Sequence, residues 1–254
     1  MRGKAMKSGD PVTLFHVSDL HFGQEDRGAL EWFASAVAEH RPAGIVCTGD
    51  LTMRGRSREF LAAAEYLGGL GAPVSVEPGN HDMPYYWDPV GRLLRPYDRF
   101  RTLHRAVHSE LDLDGVAVVP LKTIARAQWR LNWSKGRVSE RDLGDALAGL
   151  HARQDRALRL VACHHPLVEA DTKSTASTRG GKRALAALAR FGAHAVLSGH
   201  VHDAFDTELQ VEGRTIRLIG AGTLSERVRE TRPSYNRLDW SADGHLQVSA
   251  QSMD

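Results

Sequence analysis

Short apolar runs alternate with segments of helical periodicity over the first 80 residues, and this alternation restricts the possible folds more than any other feature. Three of the runs are predicted to be buried strands: PVTLFHVS (11–18), AGIVCTG (43–49) and APVSVEPG (72–79). Helices are predicted between them over ALEWFASAVAEH (29–40) and over REFLAAAEYLGGL (58–70), which Ser57 could cap. Strands that alternate with helices predict βαβ units, so the chain is expected to be an α/β protein with a parallel core.

The rest of the chain continues this pattern and then changes character. Helices are predicted over 96–108, over 139–154 with Ser139 as a possible cap, and over 182–192; strands are predicted over 111–120 (or a hairpin there), 158–166 and 193–200. The segments 205–220 and 235–250 alternate apolar and polar residues around Glu-Gly and Asp-Gly turns, which predicts two hairpins that build a second sheet. No repeat or linker interrupts the sequence, so one domain over residues 1–254 is expected.

Charge and cysteine content exclude several classes of protein. The formal net charge is +2, a bias too small to predict a stable complex with nucleic acid. No apolar run approaches the roughly 20 residues that a membrane-spanning helix needs, and no secretory signal is visible. The two cysteines, Cys47 and Cys163, lie inside apolar runs, so two buried free thiols are expected in a cytoplasmic protein.

Polar side chains fall where five of the predicted strands end. Because the carboxyl ends of parallel strands share one edge of a sheet, these side chains are expected to converge. Six of the thirteen histidines belong to this set. The set consists of Asp19 with His21, Asp50, Asn80 with His81, His164 with His165, and His200 with His202.

Carboxylate, amide and imidazole donors of this kind suit borderline or hard divalent metal ions. Seven or eight donors are too many for one ion, whereas two ions about 3.5–4 Å apart that share a carboxylate would use them all, a spacing that suits phosphoryl transfer. Alternatively, each histidine caps a helix or satisfies a buried carbonyl. Five clusters in register favour the metal site.

Five short sequence motifs contain these polar residues: SDLHFG (18–23), GDLTMRG (49–55), GNHD (79–82), HHP (164–166) and GHVH (199–202). With these strings in this order, the chain resembles the calcineurin-like metallophosphoesterases, and most nearly their small bacterial phosphodiesterase branch. The resemblance implies two packed mixed β-sheets flanked by helices, in four layers. It also implies a two-metal hydrolase of phosphate esters.

The resemblance implies a ligand set and roles for individual residues. Asp19, His21 and His202 would bind the first metal ion, Asp50 would bridge the two ions with its two oxygens, and Asn80, His164 and His200 would bind the second. His164 is chosen over His165 because the first histidine of the HHP string is usually the ligand in the family. Mn, Fe, Zn and Mg all accept such donors, and Mn is favoured.

The implied mechanism assigns catalytic roles to Asp50, His81 and His165. A hydroxide shared by the two metal ions would attack phosphorus, and His81 would contact the substrate and protonate the leaving oxygen. His165 would contact the substrate and help to stabilise its charge.

The segment 83–135 is a candidate cap or lid that selects the substrate. Its first part, 83–108, is rich in aromatic residues and arginines, of which Arg92 and Arg95 are candidates for binding phosphate. The alternative is a helix that is merely packed, docked by Leu93, Leu94, Tyr97 and Phe100. The loops 128–135 and 171–183 are further candidates near the substrate.

The function expected from the sequence is therefore hydrolysis of a small organic or nucleotide phosphodiester by a dinuclear metal centre. One alternative is a hydrolase of a nucleotide-linked lipid precursor, similar to UDP-diacylglucosamine hydrolases, for which the basic and aromatic segment 83–108 leaves membrane contact open. Another is a metal-binding scaffold without catalysis. The sequence does not predict the oligomeric state.

Overall fold

The computed structural model describes residues 11–84, 88–124, 135–169, 178–227 and 231–254, which form two β-sheets and six α-helices. The first sheet contains, in spatial order, β11 (Leu246–Ser252), β10 (Ser234–Trp240), β1 (Val12–Val17), β2 (Gly44–Cys47) and β3 (Val74–Val76). The second contains β4 (Asp112–Leu113), β5 (Val116–Pro120), β6 (Leu158–Ala162), β7 (Ala195–Ser198), β9 (Arg214–Gly220) and β8 (Phe205–Val211).

Each sheet has a parallel core with antiparallel strands added. In the first sheet β1, β2 and β3 are parallel, and β10 pairs antiparallel with β1. In the second sheet β5, β6, β7 and β9 are parallel, and β4 and β8 form antiparallel edges. The predicted parallel core is confirmed, and its buried strands are the apolar runs of the sequence.

Three apolar layers hold the sheets and helices together. Side chains from both sheets, including Leu14 and Leu160, form the layer between them. The outer face of the first sheet packs against α1 (Arg27–His40), α2 (Ser57–Gly69) and α4 (Asp98–Val107). The outer face of the second packs against α5 (Glu140–Ala152) and α6 (Gly181–Arg190). The expected four-layer arrangement of two mixed sheets flanked by helices is confirmed.

The two predicted helix caps have different outcomes. Ser139 caps α5, and its hydroxyl accepts a hydrogen bond from the Asp142 N–H at 3.1 Å. Ser57 is not a cap, because α2 begins at Ser57 itself and Arg56 occupies the N-cap position. The Glu59 carboxylate instead accepts the N–H groups at this end of the helix, from Arg54 at 2.8 Å and from Arg56 at 3.2 Å.

The two C-terminal hairpins form as predicted, but they do not build one sheet together. β10–β11 extends the first sheet, with Leu238 opposite Leu14, whereas β8–β9 extends the second, with Ile219 opposite Leu197. The expectation of a separate second sheet is therefore wrong, because alternation identifies a hairpin without specifying the sheet edge that it joins.

The middle of the chain contains the predicted helix, as α4, and a hairpin of β4 and β5 within 111–120. It also contains a short helix that was not predicted, α3 (Pro89–Leu94). Both cysteines are free and buried, as expected. None of the described helices combines the length and the apolar character that crossing a bilayer requires.

Candidate metal centre

The nine polar side chains predicted from the strand ends lie together at one edge of the two sheets. They occupy the loops that follow the five strands β1, β2, β3, β6 and β7. Groups of three whose ligand atoms lie within 4.8 Å of one another include Asp19 with His21 and His202, and His164 with His165 and His200. The complete set is Asp19, His21, Asp50, Asn80, His81, His164, His165, His200 and His202.

The backbone of these loops adopts an unusual conformation. Among the described residues other than glycine, seven have a positive φ, and five of the seven belong to this set. Such residues cost of order 1–3 kcal/mol each and persist where the surrounding structure requires them. The strands before these loops end one to four residues earlier than predicted. The five are Asp19, His21, Asp50, His200 and His202.

Two glycines allow the loops to approach one another closely. A Cβ atom on Gly79 would overlap the backbone and carboxylate of Asp50. A Cβ atom on Gly199 would overlap the side chain of Ser18 and lie 2.7 Å from Oδ2 of Asp19. Any larger residue at either position would therefore displace a carboxylate of the set.

The first donor group consists of Asp19, His21 and His202. Nε2 of His202 lies 3.1 Å from Oδ1 of Asp19, and Nε2 of His21 lies 3.6 Å from the same oxygen. The two Nε2 atoms are 3.4 Å apart. Oδ1 of Asp19 is buried and has no hydrogen-bond donor among the described residues. Three ligand atoms thus face one another, as they do around a bound cation.

The second donor group is built around His164. Its Nε2 lies 3.2 Å from Oδ1 of Asn80 and 3.4 Å from Oδ2 of Asp50. The His200 ring packs edge-on against the His164 ring, with 5.2 Å between the ring centroids. Imidazole, amide and carboxylate donors in this arrangement suit a second divalent ion.

Asp50 connects the two groups through one oxygen. Its Oδ2 lies 3.4 Å from Nε2 of His164 and 3.9 Å from Nε2 of His21. Its Oδ1 accepts a hydrogen bond from the His81 N–H at 2.7 Å. Oδ1 is thus engaged by the backbone while Oδ2 faces both groups, and the bridging role of Asp50 stays a prediction.

Electrostatics make the site attractive to cations. Burial favours the neutral forms of Asp19 and Asp50, but the imidazoles of His202 and His164 hold the pKa of both carboxyl groups below the usual range. Burial disfavours the charged form of His164, but Asp50 raises its pKa to about 9. Two buried carboxylates therefore require compensating positive charge, which divalent ions would provide.

Backbone carbonyls fix the orientation of two histidines in the set. Nδ1 of His164 donates to the Thr48 carbonyl at 2.8 Å, and Nδ1 of His202 donates to the Arg227 carbonyl at 2.9 Å. In the neutral imidazole, which a metal ion selects, the remaining nitrogen Nε2 carries the lone pair that the ion needs. The donor set therefore fits divalent metal ions in number, chemistry and orientation.

His81 faces the first donor group without joining it. Arg227 can only donate hydrogen bonds, so His81 Nε2, which lies 3.1 Å from Nη1 of Arg227, accepts one. His81 Nδ1 then carries the proton and donates it to the Met53 carbonyl at 2.7 Å. Burial lowers the pKa of His81, which favours this neutral form.

His165 lies on the side of the second donor group. Its ring centroid is 4.7 Å from that of His164 and 4.5 Å from that of His200. Thr123 holds it, because the Thr123 hydroxyl accepts the His165 N–H at 3.1 Å and lies 3.0 Å from Nδ1 of the ring. His165 is thus a polar group of fixed orientation beside the second donor group.

The two candidate substrate arginines differ in burial. Arg92 is buried, and its Nη1 donates to the Pro84 carbonyl at 2.9 Å. Arg95 is exposed and lines a cavity of about 380 Å³ together with Pro84 and Arg99. Substrate binding by Arg92 and Arg95 stays a prediction. Parts of the candidate lid and loops, at 85–87, 125–134 and 170–177, lie outside the described residues.

The sequence interpretation missed two residues of this site, Arg227 and Asp82. Arg227 follows no motif and lies 25 residues after His202, so no local signal identifies it. Asp82 is the last residue of the GNHD string, which could have identified it. Its buried carboxylate accepts hydrogen bonds from the backbone N–H groups of Leu51, Thr52 and Gly79.

Comparisons with known proteins agree with this geometry. The family described as "Calcineurin-like phosphoesterase" matches residues 12–204, a range that includes all nine residues of the set. A curated relative, the glycerophosphodiester phosphodiesterase GpdQ of Enterobacter lignolyticus, is 32% identical over 82 residues. That match covers 28% of this chain and 30% of the relative, so this chain matches less than a third of the relative's length.

Two solved structures share the fold. A dimetal phosphatase from Danio rerio superimposes with a TM-score of 0.65 at 14% identity, covering 96% of this chain and 100% of that chain. The purple acid phosphatase PPD1 from yellow lupin seeds gives a TM-score of 0.65 at 12% identity, covering 96% and 52%. The family match covers more than half of the chain and includes every residue of the candidate metal centre. The chain therefore belongs to the calcineurin-like phosphoesterase family, whose members use two metal ions.

Proposed function

We propose that the protein is a dinuclear metal-dependent phosphodiesterase that hydrolyses a small organic or nucleotide phosphodiester. The observation that carries the proposal is the position of Asp50 Oδ2, 3.4 Å from one donor group and 3.9 Å from the other. A single carboxylate oxygen between two sets of nitrogen and oxygen donors suits a pair of ions that share a ligand. The GpdQ relative, which is named a phosphodiesterase, supports a diester as the substrate.

In this proposal the two donor groups hold the two ions, with Mn²⁺ as the favoured metal. When bound, divalent ions at such a site polarise a phosphoryl group and lower the pKa of water. The first ion would be held by Asp19, His21 and His202, and the second by Asn80, His164 and His200. Asp50 would serve both ions.

His81 supplies the proton for the leaving oxygen. Its Nδ1 is held by the Met53 carbonyl, so Nε2 is the nitrogen that faces the reacting groups. An anionic phosphate beside Nε2 favours the protonated imidazole, which can then donate its proton to the departing alkoxide. His165, held by Thr123, stabilises the developing charge on the phosphoryl oxygens from the other side.

The test combines metal analysis with hydrolysis assays on the purified full chain. We expect close to two metal ions per chain, loss of activity on chelation, and recovery with Mn²⁺. Bis-p-nitrophenyl phosphate should be cleaved with a higher kcat/KM than p-nitrophenyl phosphate. A preference for the monoester would contradict the proposed diesterase activity and indicate a phosphatase. Preferential cleavage of a nucleotide pyrophosphate would favour the lipid-precursor alternative. Two bound ions without activity on any ester would favour a scaffold.

Variants separate the roles of the individual residues. Asp50→Asn should lower metal content and reduce kcat/KM by at least about 100-fold, because the shared oxygen loses its charge. His81→Ala should keep both metal ions while kcat falls about 100- to 10,000-fold. Asp145→Asn, on the exposed face of α5, is the matched control for Asp50→Asn. Wild-type turnover by Asp50→Asn would contradict the shared ligand, and metal loss in His81→Ala would contradict the role given to His81.

A further inference from the structure

Arg227 places a guanidinium group against the first donor group. Its Nη1 lies 3.1 Å from Nε2 of His81 and 3.4 Å from Nε2 of His21. Sδ of Met53 lies 4.0 Å from the same nitrogen. The side chain is partly buried, so its charge is only partly solvated. The guanidinium therefore faces the space in which the proposed reaction would occur.

The charge of Arg227 has no carboxylate partner among the described residues. Its side chain contacts two imidazoles and a thioether, and no ion pair of the described part of the chain includes it. Arg156 and Arg217, by contrast, each pair with an aspartate. A partly buried guanidinium next to a metal site, without an acidic partner, is well placed to bind an anion that enters from solvent.

The backbone around Arg227 is tied to the candidate ligands. The Thr223 hydroxyl donates to the Asp19 carbonyl at 2.7 Å, and the Arg227 N–H donates to the Ser225 hydroxyl at 3.3 Å. The Arg227 carbonyl accepts the Nδ1 proton of His202 at 2.9 Å. Hydrogen bonds thus tie the backbone at Arg227 to the loops that carry Asp19 and His202.

We propose that Arg227 binds the non-bridging oxygens of the substrate phosphoryl group beside the first donor group. The inference rests on the proposed function, because it assigns a substrate-binding residue to that reaction. Guanidinium N–H groups form paired, charge-assisted hydrogen bonds with phosphate oxygens, which are stronger than the bonds to neutral imidazole that Arg227 makes here. Entry of a phosphoryl group would draw Nη1 away from His81 and leave His81 Nε2 facing the leaving oxygen.

The direct test is binding of inorganic phosphate to the Mn²⁺-loaded full chain, measured by isothermal titration calorimetry. Arg227→Met should weaken phosphate binding by about 10- to 100-fold, the loss expected for a charge-assisted hydrogen bond. Arg227→Lys keeps the positive charge but lacks the planar guanidinium group, so its phosphate affinity should lie between those of the wild type and Arg227→Met. The matched control is Arg214→Met, at an exposed position of the β8–β9 hairpin, which should bind phosphate as the wild type does.

A metal titration separates phosphate binding from a structural role. Removing a cation beside His21 should leave the Mn²⁺ affinity of the chelator-treated Arg227→Met protein unchanged or higher, whereas a structural role predicts weaker Mn²⁺ binding. Unchanged phosphate affinity in Arg227→Met, or weaker Mn²⁺ binding, would overturn the inference.

The outcomes also distinguish this inference from the proposed function. One outcome is that the wild type cleaves no ester while Arg227→Met binds phosphate more weakly than the wild type. The anion-binding role of Arg227 then stands and the proposed function fails. If the wild type cleaves diesters and Arg227→Met matches it in phosphate affinity and kcat/KM, the function stands and the inference fails.

Discussion

Asp82 binds Thr52 twice, because its Oδ1 accepts one hydrogen bond from the Thr52 N–H and another from the Thr52 hydroxyl, each 2.9 Å long. Its Oδ2 accepts two more, from the N–H groups of Leu51 at 3.2 Å and Gly79 at 2.8 Å. One buried carboxylate thus joins the loop that carries Asp50 to the loop that carries Asn80 and His81. The relative position of these loops depends on Asp82, which contacts no metal-ligand side chain in these four bonds.

We therefore expect Asp82→Asn to weaken metal binding about 10- to 100-fold, as loss of an outer partner of metal ligands does. The amide nitrogen would face N–H donors, so stability should fall by about 1–3 kcal/mol as well. Mn²⁺ titration and urea unfolding measure the two effects, with Asp145→Asn as the surface control. Wild-type Mn²⁺ affinity in Asp82→Asn would show that the loops hold their position without this carboxylate.

Gly199 tests whether the close packing of loops is required for the metal centre. Its φ lies outside the left-handed region, so alanine is compatible with the backbone there. The added Cβ would overlap Ser18 and press on Oδ2 of Asp19, so Gly199→Ala should weaken Mn²⁺ binding at least 10-fold and cost about 1–3 kcal/mol of stability.

The matched control is Gly144→Ala in α5, where a Cβ would meet no atom within 4 Å. Replacing this helical glycine should leave metal binding unchanged and stabilise the protein by up to about 1 kcal/mol. Equal Mn²⁺ affinities for the two alanine variants would mean that the site relaxes around Gly199 at little cost.

Thr123 is expected to matter for turnover through His165. Thr123→Val keeps the shape of the side chain but removes the oxygen that contacts both the N–H and the ring of His165. We expect kcat for diester cleavage to fall about 10-fold with both metal ions retained, and Thr123→Ser to restore it. Thr102→Val, at an exposed position of α4, controls for the substitution itself. A lower metal content in Thr123→Val would instead make His165 part of the ligand set.

The strand-end pattern located nine residues of the site because buried strands end where their sheet meets solvent. In βαβ units those ends lie side by side, so residues as distant as Asp19 and His202 converge without any knowledge of the loops. The motif strings added the choice of His164 over His165 as a ligand, which stays a prediction. Both kinds of information are local, or follow from parallel topology alone.

Arg227 could not be found in this way. It contacts His21 across 206 positions and His81 across 146, and it follows neither a motif nor a predicted strand. The sheet that each C-terminal hairpin joins could not be predicted either. Alternation indicates which residues face inward but not which sheet edge pairs with the hairpin. The short helix α3 begins at Pro89 within a segment of mixed polarity, where no apolar periodicity develops over six residues.

The buried carboxyl group of Glu77 is expected to make the free energy of unfolding depend on pH. Its side chain is buried after β3, and burial raises its pKa from 4.5 to about 8, with Lys122 opposing the shift. The folded state therefore keeps a proton at pH 7 that the unfolded chain has already lost. The proton that Glu77 keeps therefore stabilises the folded state relative to the unfolded state. This contribution to the free energy of unfolding is fully present below about pH 4.5 and is lost as the pH rises towards 8. At 1.36 kcal/mol per pKa unit, the change amounts to about 3–5 kcal/mol.

Glu77→Gln removes the titratable carboxyl group and keeps a neutral side chain of nearly the same shape. Urea unfolding of the chelator-treated protein at pH 5 and pH 8 should show a smaller loss of stability with pH in Glu77→Gln than in the wild type, by about 3–5 kcal/mol. The buried thiols of Cys47 and Cys163, whose pKa burial raises above the usual range, stay neutral at both pH values and do not contribute. Glu31→Gln on the exposed face of α1 is the control. Equal pH dependence in the wild type and Glu77→Gln would mean that Glu77 is ionised in the folded protein, with Lys122 compensating its charge.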